Sequence, residues 1–197
     1  MGTITILAHC LTSACKIACK GSMRGSIFLD VIHGFCHVMA HDAPAAYAIY
    51  EASTPSDGEM TGLYSIEPQD IDSARLKKTD RLVFDGKTLS VHDSRNRATG
   101  CTIAFSECED KRAMISKMRR FIEHNSPSDS ISNPFFQLPA NVISDLHSFL
   151  CVSNKSVVCI EHVSKRDNSY EIVFFSEHDG DLIRYVCILK EDTCTRY

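Results

Sequence analysis

The stretch Arg81-Leu-Val-Phe-Asp-Gly-Lys-Thr-Leu-Ser-Val91 decides the fold class of this sequence. Strand-forming residues lie on both sides of Asp85-Gly86, a dipeptide that is among the strongest short-range signals of a β-hairpin. The pattern predicts two antiparallel strands joined by a two-residue turn. Because so short a connection leaves no room for a crossover helix, the surrounding sheet is expected to be antiparallel.

Further strands are predicted on both sides of this hairpin, because short apolar or alternating runs are bounded there by turn-forming residues. In the last part of the chain, short polar segments join three such runs, which predicts an antiparallel three-stranded meander. The predicted strands are residues 3–9, 45–52, 62–66 and 101–105, and in the meander 156–163, 170–175 and 182–189.

Amphipathic helices are predicted where apolar residues recur at spacings of three and four, namely over residues 11–20, 23–39, 109–124 and 139–150. The sequence therefore predicts an α+β fold, with amphipathic helices packed on a largely antiparallel sheet and a C-terminal three-stranded meander. Residues 125–134 are rich in Ser, Asn and Pro and predict a linker-like loop. This loop would separate a main domain, 1–124, from a helix and meander, 135–197, packed on the same core.

The composition is that of a soluble globular protein: 197 residues, 44% hydrophobic and 23% charged, with a formal net charge of -4. Residues 26–39 are apolar but are interrupted by Asp30, His33, Gly34 and His37, and a membrane span needs ~18 apolar residues in a row. The 10 cysteines lie mostly in apolar segments such as Val157–Ile160. We therefore expect reduced thiols that pack as small hydrophobic groups, a cytoplasmic location and no membrane partner.

The most distinctive polar pattern is His33-x3-His37-x3-His41, preceded by Asp30. On the helix predicted for residues 23–39, with His41 at its frayed C-terminal end, these four side chains would share one narrow sector opposite the apolar stripe. Histidines four residues apart on a helix can bind one divalent metal ion such as Zn2+, and a nearby carboxylate can complete the set. Two alternatives remain open, a solvated polar face and an acid-base role without metal.

A second polar pattern is the run of basic residues on the predicted helix 109–124. Lys111, Arg112, Lys117, Arg119 and Arg120 could contact phosphates. On a helical wheel, however, they flank the apolar stripe on both sides, and the whole chain is acidic. A solvated helix is therefore favoured over a nucleic-acid interface at residues 111–120.

The predicted order of elements, a strand, two helices and several antiparallel strands, resembles that of the acyl-CoA-dependent N-acetyltransferases. Arg97-Ala-Thr-Gly100 matches the first half of that family's pyrophosphate loop, Q/R-x-x-G-x-G/A. The second small residue is missing, and the segment precedes a strand instead of a helix. The resemblance therefore implies a similar order of elements and no more.

The sequence contains no nucleophile elbow, no phosphate-binding glycine loop and no dinucleotide fingerprint, and no catalytic residue can be assigned from it. The first hypothesis is a small interaction or regulatory protein, as in an accessory protein of a mobile element, virus or defence system. Its partner would be another protein or a second copy of this chain. The alternative is a metal- or histidine-dependent enzyme that uses Asp30, His33, His37 and His41, and the third hypothesis is a nucleic-acid binder. No organic cofactor is expected.

Overall fold

The computed structural model of this chain describes residues 2–19, 25–41, 48–56, 60–123, 138–166 and 168–190. The helices in this part are α1 (Ala8–Ala18), α2 (Pro68–Ala74), α3 (Arg112–Glu123) and α4 (Ala140–Leu150). The strands are β1 (Ile4–Leu7), β2 (Ile27–Ile32), β3 (Phe35–His41), β4 (Ala48–Pro55), β5 (Gly62–Ile66), β6 (Arg81–Phe84), β7 (Leu89–His92), β8 (Ala98–Thr102), β9 (Ser106–Glu107), β10 (Cys159–Arg166), β11 (Ser169–His178) and β12 (Asp181–Lys190).

The strands form two antiparallel sheets. The small sheet has the order β1-β6-β7-β8, and the large sheet has the order β10-β11-β12-β4-β3-β2-β5-β9. The prediction of an α+β fold with a largely antiparallel sheet is thereby confirmed, and β10, β11 and β12 form the predicted meander. Of the predicted helices, 109–124 and 139–150 correspond to α3 and α4, and 11–20 corresponds to α1, which begins three residues earlier.

The hairpin around Asp85-Gly86 is confirmed, with its turn displaced by one residue. Phe84 pairs with Leu89, and the amide of Asp85 donates to the carbonyl of Thr88, so the two central residues are Gly86 and Lys87. Gly86 has a φ of 84°, which glycine adopts without strain. The carboxylate of Asp85 accepts hydrogen bonds from the amides of Lys87 and Thr88 at 2.8 and 2.6 Å, which explains why an aspartate precedes the turn.

The helix predicted for residues 23–39 is wrong, because residues 27–41 form the β2–β3 hairpin. Its turn is His33-Gly34, and both residues have positive φ, 51° and 76°, as a two-residue hairpin turn of type I′ requires. Both faces of this part of the sheet are covered, so the strands are apolar on both sides and lack the alternation that identifies a half-buried strand. Periodicity alone cannot distinguish such a run from a buried helix.

One face of the large sheet, called the inner face here, belongs to the main core. Together with α1, α4 and the small sheet it encloses the larger apolar cluster, which includes Leu11, Ile17, Tyr50, Phe84 and Phe149. α1 carries small residues, alanine and cysteine, on its buried side, and its Cα atoms come within 8 Å of those of β3 and β4. This close packing makes α1 the central helix of the core.

The other face of the large sheet, called the outer face, is covered by α3. A separate apolar cluster lies between them, with Ile115, Met118 and Ile122 of α3 packed on Phe28, Met39, Ile49, Val173 and Val186 of the sheet. A single turn of 3-10 helix, Glu109–Lys111, leads into α3. The large sheet is therefore covered by helices on both faces, and the two covers differ in chemistry.

The meander joins the earlier strands in one sheet, because β12 pairs with β4 from Leu182↔Ser53 to Cys187↔Ala48. The predicted linker, residues 125–134, lies outside the described residues, so the division into 1–124 and 135–197 remains a prediction. None of the helices in the described ranges has the length and hydropathy that a membrane crossing requires.

The cysteines in the described part of the chain are free thiols. Cys10, Cys36 and Cys187 are buried, as the apolar neighbours of these residues predict. Cys159, expected in the core, is exposed because β10 is the edge strand of the large sheet. Burial raises the pKa of Cys10 and of Cys15 to about 12 in each case, so both are protonated at neutral pH.

Candidate functional site

A network of charged residues crosses the outer face of the large sheet beneath α3. It begins at Asp30 on β2, which is 2% exposed. Nη1 of Arg112 lies 3.0 Å from Oδ1 of Asp30, and Nη2 of Arg119 lies 3.0 Å from Oδ2. The two arginines are seven residues apart, or about two helical turns, so they project from the same side of α3. One buried carboxylate is thus held between two guanidinium groups.

Arg112 also connects this network to the start of α3. Its Nε and Nη2 atoms donate to the carboxylate of Glu109 at 2.6 and 2.7 Å. The other role of Glu109 is to accept a hydrogen bond from the amide of Leu63 on β5 at 2.9 Å. The hydrogen bonds from Arg112 lower the pKa of Glu109 below its usual value. The beginning of α3 is therefore tied to two strands, β2 and β5.

His37 lies opposite Asp30 across the β2–β3 pair and points to the same face of the sheet. Its Nδ1 atom is 3.0 Å from Oε1 of Glu51 and 2.9 Å from Oγ of Ser53, both on β4. Because a carboxylate can only accept, Nδ1 of His37 carries a proton and donates it to Glu51. The ring is therefore held in one orientation by the neighbouring strand.

Glu51 is 2% exposed and has a second cationic neighbour, Arg184 on β12, at 3.6 Å. Burial raises the pKa of Glu51, but the hydrogen bond from His37 and the charges of His37, Arg184 and Arg119 outweigh that effect and lower it. Arg184 continues the network to Glu161 on β10, where Nε lies 2.7 Å from Oε2. Charged groups thus connect β2, β3, β4, β12 and β10 along one face.

The geometry of this network favours a structural contact over catalysis. Glu51 and Ser53 both approach the same nitrogen of His37, whereas a relay from carboxylate through histidine to a nucleophile uses both ring nitrogens. Asp30 is paired with two arginines. What the arrangement does is hold α3 on the sheet through ion pairs at the end of long side chains.

The metal hypothesis depended on a helix face that does not exist. His33 lies exposed in the turn of the β2–β3 hairpin, and His41 lies four residues after His37 on β3, about 13 Å along the strand. Of the predicted set, only Asp30 and His37 are neighbours, because the hairpin pairs them. Within the described ranges, no group of three or more His, Cys, Asp or Glu side chains could hold a metal ion.

The basic helix predicted as a nucleic-acid interface is divided by the structure into two sets. Arg112 and Arg119 face the sheet and bind Asp30, so they are engaged within the protein. Lys111, Lys117 and Arg120 are exposed, and Lys111 lies 3.4 Å from the carboxylate of Asp110. The prediction that these residues form a solvated face applies to this second set alone.

A different buried polar contact lies on the inner face of the sheet. His9 of α1 is 1% exposed, and its Nε2 atom lies 3.3 Å from the carbonyl oxygen of Phe149 and 3.3 Å from Oγ of Ser13. Burial is the main cause that lowers the pKa of His9 to about 4, and the hydrogen bond with Phe149 partly opposes it. His9 is therefore neutral at pH 7 and joins α1 to the end of α4.

Sequence reasoning did not identify Glu51, Arg184 or Glu161 as partners, nor the inward direction of Arg112 and Arg119. One signal was available: Asp30 and Glu51 are the single charged residues of two otherwise uncharged, buried strands, Ile27–Ile32 and Ala48–Pro55. A lone acid in a buried strand needs a partner, because an unpaired buried charge is costly. The identity of the partner depends on which elements the fold brings together.

No known family model matches this sequence, and no curated protein sequence matches it. Solved structures do resemble it. The chain matches A. fulgidus PCNA, in a structure with the C-terminal region of FEN-1, with a TM-score of 0.55 and 12% identity over 95% of this chain and 97% of that one. It also matches a Eubacterium rectale protein assigned as a DNA polymerase III beta subunit, with a TM-score of 0.50 and 10% identity.

The second match covers 100% of this chain. It covers 66% of the bacterial subunit, so this chain spans just under two thirds of that subunit's length. A DNA polymerase III beta sliding clamp from Bartonella birtlesii matches at a TM-score of 0.49 and 13% identity, over 96% of this chain and 63% of the clamp. At identities this low, the first two matches establish a shared fold and nothing finer. The resemblance to the order of elements in N-acetyltransferases required two helices after the first strand, and the structure has the β2–β3 hairpin in place of the second helix.

Proposed function

We propose that this chain is a clamp-like interaction module of a DNA-processing assembly, which acts by binding another protein. The observation that carries the proposal is the fold shared with A. fulgidus PCNA over 95% of this chain and 97% of that one. That structure contains PCNA bound to the C-terminal region of another protein, FEN-1. By analogy, the partner of this chain would bind through a terminal segment. The proposal also includes a cytoplasmic location and a regulatory role for this chain.

The charged residues support binding over chemistry. Those on the outer face are paired with one another, and His9 is sealed between α1 and α4. An active site, by contrast, brings perturbed titratable groups together in an open pocket. The enzyme hypothesis from the sequence therefore has no support from the placement of Asp30, His33, His37 and His41.

The decisive experiment is affinity capture of the full chain from its source cells, with and without nuclease treatment. We expect DNA-processing enzymes, such as a polymerase subunit or a nuclease, to be captured in both conditions. A synthetic peptide of the terminal segment of one of them should then bind the purified chain, with a Kd on the order of micromolar. Capture that disappears with nuclease, or the failure of every terminal peptide to bind, would contradict the proposal.

Self-association is a second form of the proposal, and the edge of the small sheet favours it. β8 is the outermost strand there, and its residues Ala98–Thr102 are uncharged and largely exposed. Both edge strands, β8 and β10, have an irregularity in their pairing, but β10 differs because it carries charged residues, Glu161 and Lys165. Charges and bulges protect an edge against further pairing, and β8 has no charge to do so.

Light scattering after size-exclusion chromatography tests this form directly. If β8 pairs with a second copy, Ala98→Lys combined with Thr102→Lys should convert the oligomer to a monomer. The matched control is Ser164→Lys on β10, which should leave the molecular mass unchanged. A wild-type chain that is monomeric at all concentrations would restrict the proposal to partners other than itself.

A further inference from the structure

The contact between α3 and the outer face has the properties of a bound ligand. Three apolar side chains of α3, at spacings of three and four, fill the apolar part of the face: Ile115, Met118 and Ile122. Two arginines on the same side of the helix, Arg112 and Arg119, pair with the negative charge of Asp30 on that face. α3 touches the sheet through the ends of these long side chains, and the opposite side of the helix is exposed at Ala113, Ser116, Lys117 and Arg120.

Asp30 makes this face selective. In the described structure, both cations that contact its carboxylate come from α3. If α3 left, a carboxylate surrounded by Phe28, Met39 and other apolar side chains would lose its counter-charges, which is unfavourable until another cation replaces them. The vacant face would therefore favour a helix that again brings guanidinium groups to this point.

A helix needed only for the core would not require this arrangement. Replacing a buried ion pair by apolar residues of similar size often leaves stability unchanged or higher. Buried charges are instead well suited to select a partner and fix its register, since a helix without matching cations is rejected. A helix that replaces α3 would therefore need the same pattern of apolar and basic side chains on its sheet-facing side.

We propose that the outer face of the large sheet is a docking surface for an amphipathic helix of a partner protein, and that α3 is its resident occupant. The partner helix would carry apolar residues at positions i, i+3 and i+7 and arginines at i-3 and i+4, as α3 does around Ile115. This inference rests on the proposed function in one respect, that the chain acts by binding proteins. It adds where the partner binds and what competes with it.

The test uses the full chain and a fluorescein-labelled peptide with the sequence of residues 109–123. In the variant Arg112→Ala/Arg119→Ala the resident helix loses both contacts with Asp30, and we expect this variant to bind the peptide at least tenfold more tightly than wild type. The matched control is Lys117→Ala/Arg120→Ala, which removes the same number of cations from the exposed side of α3. Its affinity should equal that of wild type. Fluorescence anisotropy measures both.

A charge exchange provides the specific control. Asp30→Arg should abolish binding of the unmodified peptide, and a peptide with Arg112→Asp and Arg119→Asp should restore it. Circular dichroism must first show that each variant retains its sheet content. The proposed docking surface would be contradicted if the unmodified peptide failed to bind Arg112→Ala/Arg119→Ala. It would also be contradicted if that peptide bound Asp30→Arg as tightly as it binds Arg112→Ala/Arg119→Ala.

A measurement on the wild-type chain keeps the test valid even if the variants do not fold. Native-state hydrogen exchange should show that the amides of α3 open at least tenfold more often than those of α1. Equal exchange in the two helices would mean that α3 does not leave the sheet on its own, and the inference would fail. Failure here leaves partner capture unaffected, so it is distinguishable from failure of the proposed function.

Discussion

The two faces of the large sheet are covered in opposite ways. On the inner face, α1 packs closely with alanine, cysteine and leucine, and its polar contact is a neutral histidine, His9. On the outer face, α3 contacts the sheet through its own methionine, isoleucine and two arginine side chains. Its polar contact is the carboxylate of Asp30, which pairs with both arginines. The same strands support both helices, so the difference lies in the side chains that strands and helices bring to each face.

This comparison separates a contact that holds the fold together from one that can be exchanged. Close apolar packing is lost only when the core is disrupted, because it depends on shape and on exclusion of water. Ion pairs at a helix interface often add little net stability, and in some systems they fix which partner binds and in which register. The following experiments test this distinction, beginning with the largest effect.

The largest effect is expected from truncation on the α1 side. Leu11 is fully buried in α1, and Leu11→Ala should lower the free energy of unfolding by about 3 to 4 kcal/mol through lost burial and a residual cavity. Met118→Ala on α3 should cost less, about 2 kcal/mol, because the outer contact can open locally. Urea denaturation measures both, and equal losses would remove the distinction between the faces.

Acidification should weaken the α1 side through His9. Its pKa is about 4 in the folded chain and 6.5 when unfolded, so folding excludes a proton that the unfolded chain binds. The contribution of neutral His9 to the free energy of unfolding is complete above pH 6.5. It is lost as the pH falls towards 4, by about 3 kcal/mol in total. Asp181, whose pKa burial raises, acts in the opposite direction.

The quantity to measure is therefore a difference between two chains. His9→Gln lacks the titrating group but retains a side-chain donor, and its free energy of unfolding should depend less on pH between 7 and 4 than that of wild type. Parallel curves for the two proteins across this range would show that His9 is not the group responsible.

Salt should distinguish the two faces without any substitution. Raising the NaCl concentration from about 0.05 to 0.5 M shortens the Debye length and weakens partly exposed ion pairs such as that of Arg112, which is 36% exposed. The amides of α3 should then exchange a few-fold faster, whereas those of α1 should not change. Faster exchange in α1 to the same extent would indicate a general loss of stability.

The smallest effect is expected at the turn that joins β2 to β3, His33-Gly34. His33→Asn should change the free energy of unfolding by less than about 0.5 kcal/mol, because asparagine also tolerates positive φ. Zn2+ should raise the Tm of neither protein, since the turn keeps His33 away from His37. A rise in the wild type that His33→Asn abolishes would revive the metal hypothesis.

The sequence predicted the elements whose signals are local. Asp85-Gly86 marked a hairpin, and the apolar spacing of residues 109–124 marked α3. The sequence failed where burial on both faces erased the alternation, as in Ile27–Ile32. α2 was missed although Pro68 stands at its start, because seven residues show too little periodicity.

The candidate site was predicted only in part. Asp30 and His37 were predicted to share one face of a helix, but they are neighbours because a hairpin places them opposite each other. Their direct partners lie on β4 and on α3, and β12 joins the network through Glu51. Only pairing between distant strands brings these groups together, and no local pattern contains that information.

The pairing of β4 with β12 has a consequence for how the chain reaches its native state. Ser53 lies opposite Leu182, so the middle of the large sheet closes only after most of the chain has been synthesised. Contacts between such distant segments slow folding and leave the interior edge of β4 open in the meantime. We therefore expect refolding to be slow and yield to fall at high protein concentration, because an open strand edge is a template for aggregation.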